Sequence, residues 1–450
     1  MSKQWLVPFL ILAAVALAGI VIPPQAQALQ GGPVNAGDTA WMLTASGLVL
    51  LMTPGLSFFY GGMVRRKNMI STMLQSFITM GAVSLVWVVV GFSLAFGTSI
   101  GAKGLGFIGN PATFFMFRGV GTATHPDLAP TIPLLLFAIF QMKFAIITPA
   151  LVTGSFAERV RFTAYLVFMI LFTVFVYCPV AHWTWHPNGF LRNLGILDFA
   201  GGSVVHMTAG LAALVGAYVL GPRRDFDSGA AHPPANIPYV ILGTGMLWFG
   251  WFGFNAGSAL SAGSAAATAF ITTNTASAAA MLAWVFLDGL LGRKPTALGA
   301  CVAAVVGLVA ITPAAGFVST GSSIAIGAVA AVLSNFAVFY KGKAGLDDTL
   351  DVFPCHGVGG MFGMVATALF ASKLINPDGA DGLIHGHALL LGKHLLGLVV
   401  VAAYSVGMSW ILYKVTAWLV PLRVSAEQEA EGLDLSQHGE RMLPMGPQAD

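Results

Sequence analysis

Two histidines stand at matched positions of an internal repeat, and each lies in an apolar stretch of membrane length. The first closes the string Asp198-Phe-Ala-Gly-Gly-Ser-Val-Val-His206, and the second closes Asp348-Thr-Leu-Asp-Val-Phe-Pro-Cys-His356. The aspartate precedes the histidine by eight residues in both strings, and the histidines are 150 residues apart. An ionisable side chain inside a membrane helix is costly, which makes it a functional-site hypothesis. Two of them related by a repeat point to a pathway at the repeat interface. A neutral imidazole has one donor and one acceptor nitrogen, and its ordinary pKa lies near neutrality. Facing imidazoles could share a hydrogen bond, offer a nitrogen to a small polar solute, or take part in proton transfer. On the residues alone, a structural pair that closes the repeat interface is an equally good reading. A metal site is a poor one. Cys355 adjoins His356, but adjacent residues on a helix point in different directions, and no further ligands cluster nearby.

The elements that must position these histidines are membrane helices. The chain is 56% hydrophobic and 9% charged, with a mean hydropathy of +0.81, whereas soluble domains carry about 25% charged residues. That excludes a soluble protein and leaves room in 450 residues for roughly a dozen spans of about 20 residues each. The net charge of +3 gives no reason to expect a nucleic-acid partner, because the basic residues sit in short loops. Cys178, Cys301 and Cys355 lie in apolar segments and are odd in number, which argues against a disulfide framework. No nucleophile–base pair or nucleotide loop is visible, so neither an enzyme nor a cofactor is expected.

Residues 1–28 read as a cleaved secretion signal: Lys3 is the positive start, Trp5 to Ile22 the apolar run, and Ala26-Gln27-Ala28 a small-x-small cleavage site. An extra membrane helix is the competing reading. Eleven apolar runs follow, at about 38–62, 70–97, 130–155, 162–184, 200–221, 237–257, 265–291, 297–312, 322–341, 354–373 and 391–420. Arg65, Arg66 and Lys67 follow the first run. Basic residues also follow the third (Arg159, Arg161), fifth (Arg223, Arg224), seventh (Arg293, Lys294), ninth (Lys341, Lys343) and eleventh (Arg423). The alternate loops carry only Lys103, Arg118, Arg192 and Lys373. By the positive-inside rule the odd helices end in the cytoplasm. The expected fold is therefore an all-α polytopic membrane protein. It has eleven transmembrane helices, arranged as two inverted five-helix repeats plus a C-terminal helix, with the N-terminus outside and the C-terminus inside. The domain division is a signal at 1–28, a membrane domain at 29–423 and a cytoplasmic tail at 424–450.

The chain resembles the ammonium transporter/methylammonium permease/Rhesus family over essentially its whole mature length, and within it the bacterial branch. The strings that carry the resemblance begin with Phe59-Tyr-Gly-Gly62, Phe140-Gln-Met-Lys-Phe144, Ala157-Glu-Arg-Val-Arg-Phe162 and the first Asp–His string. They continue with Gly250-Trp-Phe-Gly-Phe-Asn-Ala-Gly-Ser258, Asp351-Val-Phe-Pro-Cys-His-Gly-Val-Gly-Gly360 and the tail around Glu431-Gly-Leu-Asp434. The resemblance implies a homotrimer with one pore per subunit in the cell inner membrane, carrying ammonium or ammonia. It also implies a PII-type nitrogen regulatory protein as the cytoplasmic partner. An outer cation site maps onto Trp185, Phe144 and Ser258. Phe144 and Phe254 map onto stacked gates, with Phe140 and Trp251 nearby. His206, His356 and Thr312 map onto the pore below, and Asp198 and Asp348 onto supporting positions.

Each mapping has a physical basis and a plainer competitor. Aromatic faces attract a cation by about 0.5–2 kcal/mol each, and a serine hydroxyl can accept an ammonium hydrogen. Yet Trp185 could equally be an interfacial belt aromatic. Phe140 and Phe144 share a helix face, in a chain with 32 phenylalanines. Asp198 could simply cap its helix, and Thr312 before Pro313 could simply mark a helix break. Two departures from the family pattern stand out. Lys143 should point out of the pore, turned off the Phe144 direction, and His186-Pro187 could alter the vestibule where many relatives have glycines. Competing functions are an ammonium sensor that signals through its tail and a Rhesus-like channel for neutral ammonia. The tail is too short to hold a kinase or cyclase domain of its own.

Overall fold

The structure, a computed structural model, describes residues 5–226 and 232–442. It is a bundle of apolar helices. In chain order these are α1 (Ala36–Met63), α2 (Arg66–Phe96), α3 (Leu134–Ser155), α4 (Phe162–Trp185), α5 (Gly202–Leu220), α6 (Ile237–Gly257), α7 (Ser264–Leu290), α8 (Ala297–Ile311), α9 (Thr320–Lys343), α10 (Phe353–Phe370) and α11 (Ala388–Leu419). The apolar runs read from the sequence fall on these stretches to within a few residues. Among the described residues ten of them are long and apolar enough to cross a membrane, and α8 is shorter. It is buried without a break from Cys301 to Ile311. Thr312 and Pro313 follow, and proline cannot continue the hydrogen-bond ladder. The apolar helix Leu6–Val21 ahead of α1 has no buried residue; Lys3 lies outside the described residues.

Side-chain caps set the starts of several helices. Asn35, Asn236, Thr296 and Ser319 accept backbone N–H bonds at the N-termini of α1, α6, α8 and α9 and satisfy donors that the first turn leaves orphaned. Among the described residues four helices contain one widened, π-type turn: Trp87–Gly91 in α2, Thr173–Tyr177 in α4, Gly202–Met207 in α5 and Phe353–Val358 in α10. Such turns concentrate at functional sites. Two of these four hold His206 and His356.

One end of the bundle is tied together by charge. Glu158, in the loop between α3 and α4, has a left-handed backbone (φ 71°) and a side chain only 1% exposed. It accepts from the backbone N–H of Arg65 at 2.6 Å, from Arg65 Nε at 2.8 Å and from Arg223 Nη1 at 3.0 Å. Arg223 also grips Asp347 through both carboxylate oxygens, at 2.9 Å each. The fully buried Arg159 donates to the carbonyl of Asp347 at 2.6 Å and to Thr349 at 2.7 Å. The network joins the loops after α1, α3, α5 and α9.

The C-terminal segment packs against the same end through two short helices, Ala426–Glu431 and Leu433–His438. Buried Glu429 pairs with Arg423 at 2.8 Å. The Asp434 carboxylate accepts from the backbone of Ile70 and Ser71 at the start of α2. Residues 443–450 of the expected tail lie outside the described residues.

Burial alone would raise the Glu158 carboxyl, but the hydrogen bonds and charge of Arg65, with the charge of Arg223, override it. They hold the group below its ordinary value of 4.5. A depressed carboxyl stabilises the fold at pH values above its unfolded pKa, and that stabilisation is lost as pH falls through the folded value. Thermal unfolding of the detergent-solubilised protein should therefore drop as pH is lowered below about 4.5. Glu158→Gln should cost about 2 kcal/mol at neutral pH, because it removes charged hydrogen bonds that Arg65 and Arg223 share and leaves each with one carboxylate, Asp225 and Asp347, and should flatten that acid-side fall.

Candidate functional site

At the bundle end opposite the charge network an open vestibule of about 810 Å³ is lined by Phe144, Trp185, Asp198 and Ser258, with Gln141 and Arg192. The Ser258 hydroxyl donates to the Phe254 carbonyl one turn back at 2.8 Å. Its hydrogen is thereby committed, and its lone pairs are left for a donor. The Trp185 indole N–H donates to the Asp198 carbonyl at 3.1 Å, which fixes the ring at the vestibule wall.

From the vestibule a continuous file of rings leads inward. Phe144 meets Trp185 edge-on at 5.8 Å between centroids and stacks on Phe254 at 4.1 Å. Phe140 packs edge-on against Phe144 at 5.0 Å. Phe140, Phe144 and Phe254 are fully buried. Phe254 lies 6.0 Å from the ring of His206, and Trp251 lies 5.4 Å from it, nearly parallel. His206 and His356 follow, with ring centroids 5.4 Å apart and their Nδ1 atoms 3.3 Å apart. Thr312 reaches the pair from α8, its Oγ1 3.3 Å from His206 Nε2. The residues proposed from the sequence as outer site, gate and pore are thus neighbours in this order.

The two aspartates explain how the histidines are presented. Asp198 accepts from the backbone N–H groups of Gly201, Gly202 and Ser203 and from the Ser203 hydroxyl, all within 2.8 Å. Asp348 accepts from the backbone of Val352 and Phe353 at 3.1 and 2.7 Å. Each carboxylate caps the widened turn that carries its histidine, as a charge at a helix N-terminus should. Burial pushes the Asp348 carboxyl up to about 6, against the pull of Lys341.

The helices behind the histidines touch backbone to backbone. A Cβ on Gly210 of α5 would fall 2.1 Å from the nitrogen of Gly357 in α10, and one on Gly360 would fall 2.9 Å from the Cβ of His206. Only glycine permits that approach.

The two departures resolve differently. Lys143 is half-buried and is not among the vestibule-lining residues. His186 turns from the vestibule into a neighbouring cleft. It stacks on His182 at 4.3 Å and lies 3.3 Å from the Ser99 hydroxyl. Burial, with His182, Arg192 and His125 nearby, pushes its pKa down to about 3, so the ring adds no charge to the vestibule mouth. Sequence reasoning missed Ser203 and Gln141 because neither stands out in type or spacing. It also missed Arg192 as a wall of the vestibule, where its guanidinium donates to the Trp185 carbonyl at 2.7 Å. Among the described residues no group of three His, Cys, Asp or Glu side chains could hold a metal ion.

Comparison with known proteins gives a consistent picture. A model of the Ammonium Transporter Family matches residues 40–442. The ammonium transporter of Bacillus subtilis (strain 168) is 46% identical over 408 residues, covering 90% of this chain and 98% of its own. That of Aquifex aeolicus (strain VF5) is 48% identical over 410 residues, covering 91% and 93%. The crystal structure of Saccharomyces cerevisiae Mep2 superposes with a TM-score of 0.82 at 37% identity, covering 88% of this chain and 90% of that one. A sensor Amt protein superposes with a TM-score of 0.80 at 31% identity, covering 89% and 98%.

Gly210→Ala should force α5 and α10 apart, since its new methyl meets backbone that cannot yield. We expect a loss of about 3 kcal/mol in stability, read as a lower unfolding temperature in detergent. Gly47→Ala, inside α1 with nothing within 4 Å of the new Cβ, should not lower that temperature and should raise it slightly.

Proposed function

The chain belongs to the ammonium transporter family, and from that premise we propose that it takes up ammonium across the inner membrane by separating the proton from ammonia at the phenylalanine stack. The observation that carries the reading is the file Trp185–Phe144–Phe254–His206–His356, in which an open vestibule ends at closed rings directly above an imidazole pair. An ammonium ion in the vestibule finds the Trp185 and Phe144 faces and a Ser258 oxygen whose own hydrogen is already given away. Potassium has the same charge and no hydrogens, so a directional acceptor such as Ser258 favours ammonium. Asp198 supports that site from below without touching the ion. Past the rings the cation would lose its remaining hydrogen-bond partners, and a bare buried charge costs many kcal/mol. Neutral ammonia enters at a fraction of that cost. It passes His206, His356 and Thr312 in the narrow tube, while the proton travels separately and uptake moves net charge.

In this reading α8 is the eighth of eleven crossings. Helices α1–α5 and α6–α10 form two units of opposite direction, and α11 is added to them. The matched Asp caps, widened turns and histidines of α5 and α10 support that pairing. The clustering of Arg65, Arg159, Arg223 and Arg423 at one end supports a cytoplasmic C-terminus. Residues 1–28 are a secretion signal, 29–423 the membrane domain and 424–450 a regulatory tail. The working unit is a homotrimer, and a PII-type nitrogen regulatory protein docks on the cytoplasmic face. The similarity to a sensor Amt protein supports one competing reading, in which ammonium is bound and reported to a partner rather than carried.

The test is the current from protein reconstituted on a solid-supported membrane after an ammonium jump. A saturable current with ammonium and none with potassium is expected, lost or no longer selective in His206→Ala. Ammonia-driven pH equilibration without current would move the reading to a neutral gas channel. Bound ammonium with neither signal would move it to the sensor.

A further inference from the structure

Three polar partners meet at the hydroxyl of Thr312, which has one hydrogen to give and two lone pairs to fill. The carbonyl of Leu308, one turn back on α8, lies 2.7 Å away. The indole Nε1 of Trp251 lies at 3.0 Å and His206 Nε2 at 3.3 Å. A carbonyl only accepts, and an indole N–H only donates. The shortest contact, to Leu308, therefore takes the hydroxyl hydrogen, and Trp251 fills one lone pair. What faces His206 is the remaining lone pair, so Nε2 of His206 must be the donor. Thr312, Trp251, His206 and His356 are each at most 3% exposed.

We propose that Thr312, held by Trp251 and Leu308, fixes the tautomers of the histidine pair and makes its two members chemically unequal. A neutral His206 with its hydrogen on Nε2 has a bare Nδ1. The Nδ1 of His356, 3.3 Å away, then carries the shared hydrogen. His356 is left with an unprotonated Nε2 that has no hydrogen-bond partner among the described residues. The internal repeat would make the two rings equivalent, but among the described residues only His206 has a partner on Nε2. In the transport reading, on which the use of this asymmetry rests, ammonia in the tube finds an acceptor nitrogen at His356 and none at His206. Thr312 and Trp251 are then positioning residues that act through His206.

Tautomers are read through the hydrogens themselves. The experiment is solid-state NMR of the full chain in lipid at neutral pH, with ¹⁵N-labelled histidine and the pair assigned by comparison with His356→Gln. The expected wild-type spectrum shows His206 protonated at Nε2 and His356 at Nδ1, each as a single tautomer. Thr312→Val keeps the shape and removes the acceptor. It should turn His206 into a tautomer mixture and lower the ammonium current up to about tenfold, the scale of one net hydrogen bond. Thr312→Ser should restore the single tautomer and the current together. A wild-type His206 protonated at Nδ1 would overturn the proposal, as would an unchanged tautomer in Thr312→Val. The wild-type spectrum depends on no variant folding. Should the wild type show these tautomers and yet carry no current, the transport reading fails and the tautomer assignment stands.

Discussion

A monovalent ammonium-sized ion moved from water into a medium of low dielectric constant faces an idealised cost on the order of 20 kcal/mol, and still several kcal/mol after relaxation. Two aromatic faces return about 0.5–2 kcal/mol each, and a hydrogen bond to a charged group about 1.5–3 kcal/mol. Those contributions can hold a cation in a wet vestibule, but they cannot carry it through a dry tube. The proposed function reads the arrangement of the core from this inequality. In the proposed reading the recognition groups stop at the Phe144–Phe254 stack, and beyond it stand a pair of imidazoles and one threonine rather than a file of carboxylates. The carboxylates, Asp198 and Asp348, are withheld from the path and spend their charge on backbone N–H groups.

Holding two imidazoles at a shared hydrogen-bond distance requires that α5 and α10 cross with almost no side chain between them. Gly210 against Gly357 supplies that crossing, and the widened turns, each capped by its own aspartate, aim the rings at one another. The charge network at Glu158, Arg223 and Asp347 bears on the same geometry from a distance. Asp347 adjoins Asp348, whose carboxylate begins the turn that holds His356. The docked C-terminal helices share this end of the bundle through Asp434 and Glu429. A disturbance of the tail therefore has a short packed route to the loop that sets one histidine.

Much of this was legible in the sequence, for physical reasons. Membrane helices must be long and apolar, so their extents could be read directly. The Asp–x₇–His strings were visible because ionisable residues are rare in such helices. What the sequence could not show were contacts between residues far apart whose types are ordinary. Trp251 was readable as an aromatic near a gate, but its indole hydrogen bond to Thr312 depends on how α6 meets α8. Ser203, which doubles the grip on Asp198, is one serine among many. His186 looked like a change to the vestibule because it follows Trp185, yet α4 ends between them and the backbone turns it toward Ser99. The family resemblance supplied names for the sites, and the physical coupling between them came only from the fold.

The central claim is that the ion does not pass the ring stack intact: an N–H bond breaks on the way in. Comparing the ammonium-driven current of the reconstituted protein in H₂O and in D₂O tests this directly, because only a path that breaks that bond and moves the proton separately feels the isotope at the rate-determining transfer. The account predicts a current several-fold smaller in D₂O, beyond the modest slowing that solvent viscosity imposes on any ion. A current reduced only by that viscosity effect would mean that ammonium crosses whole, and would contradict the account.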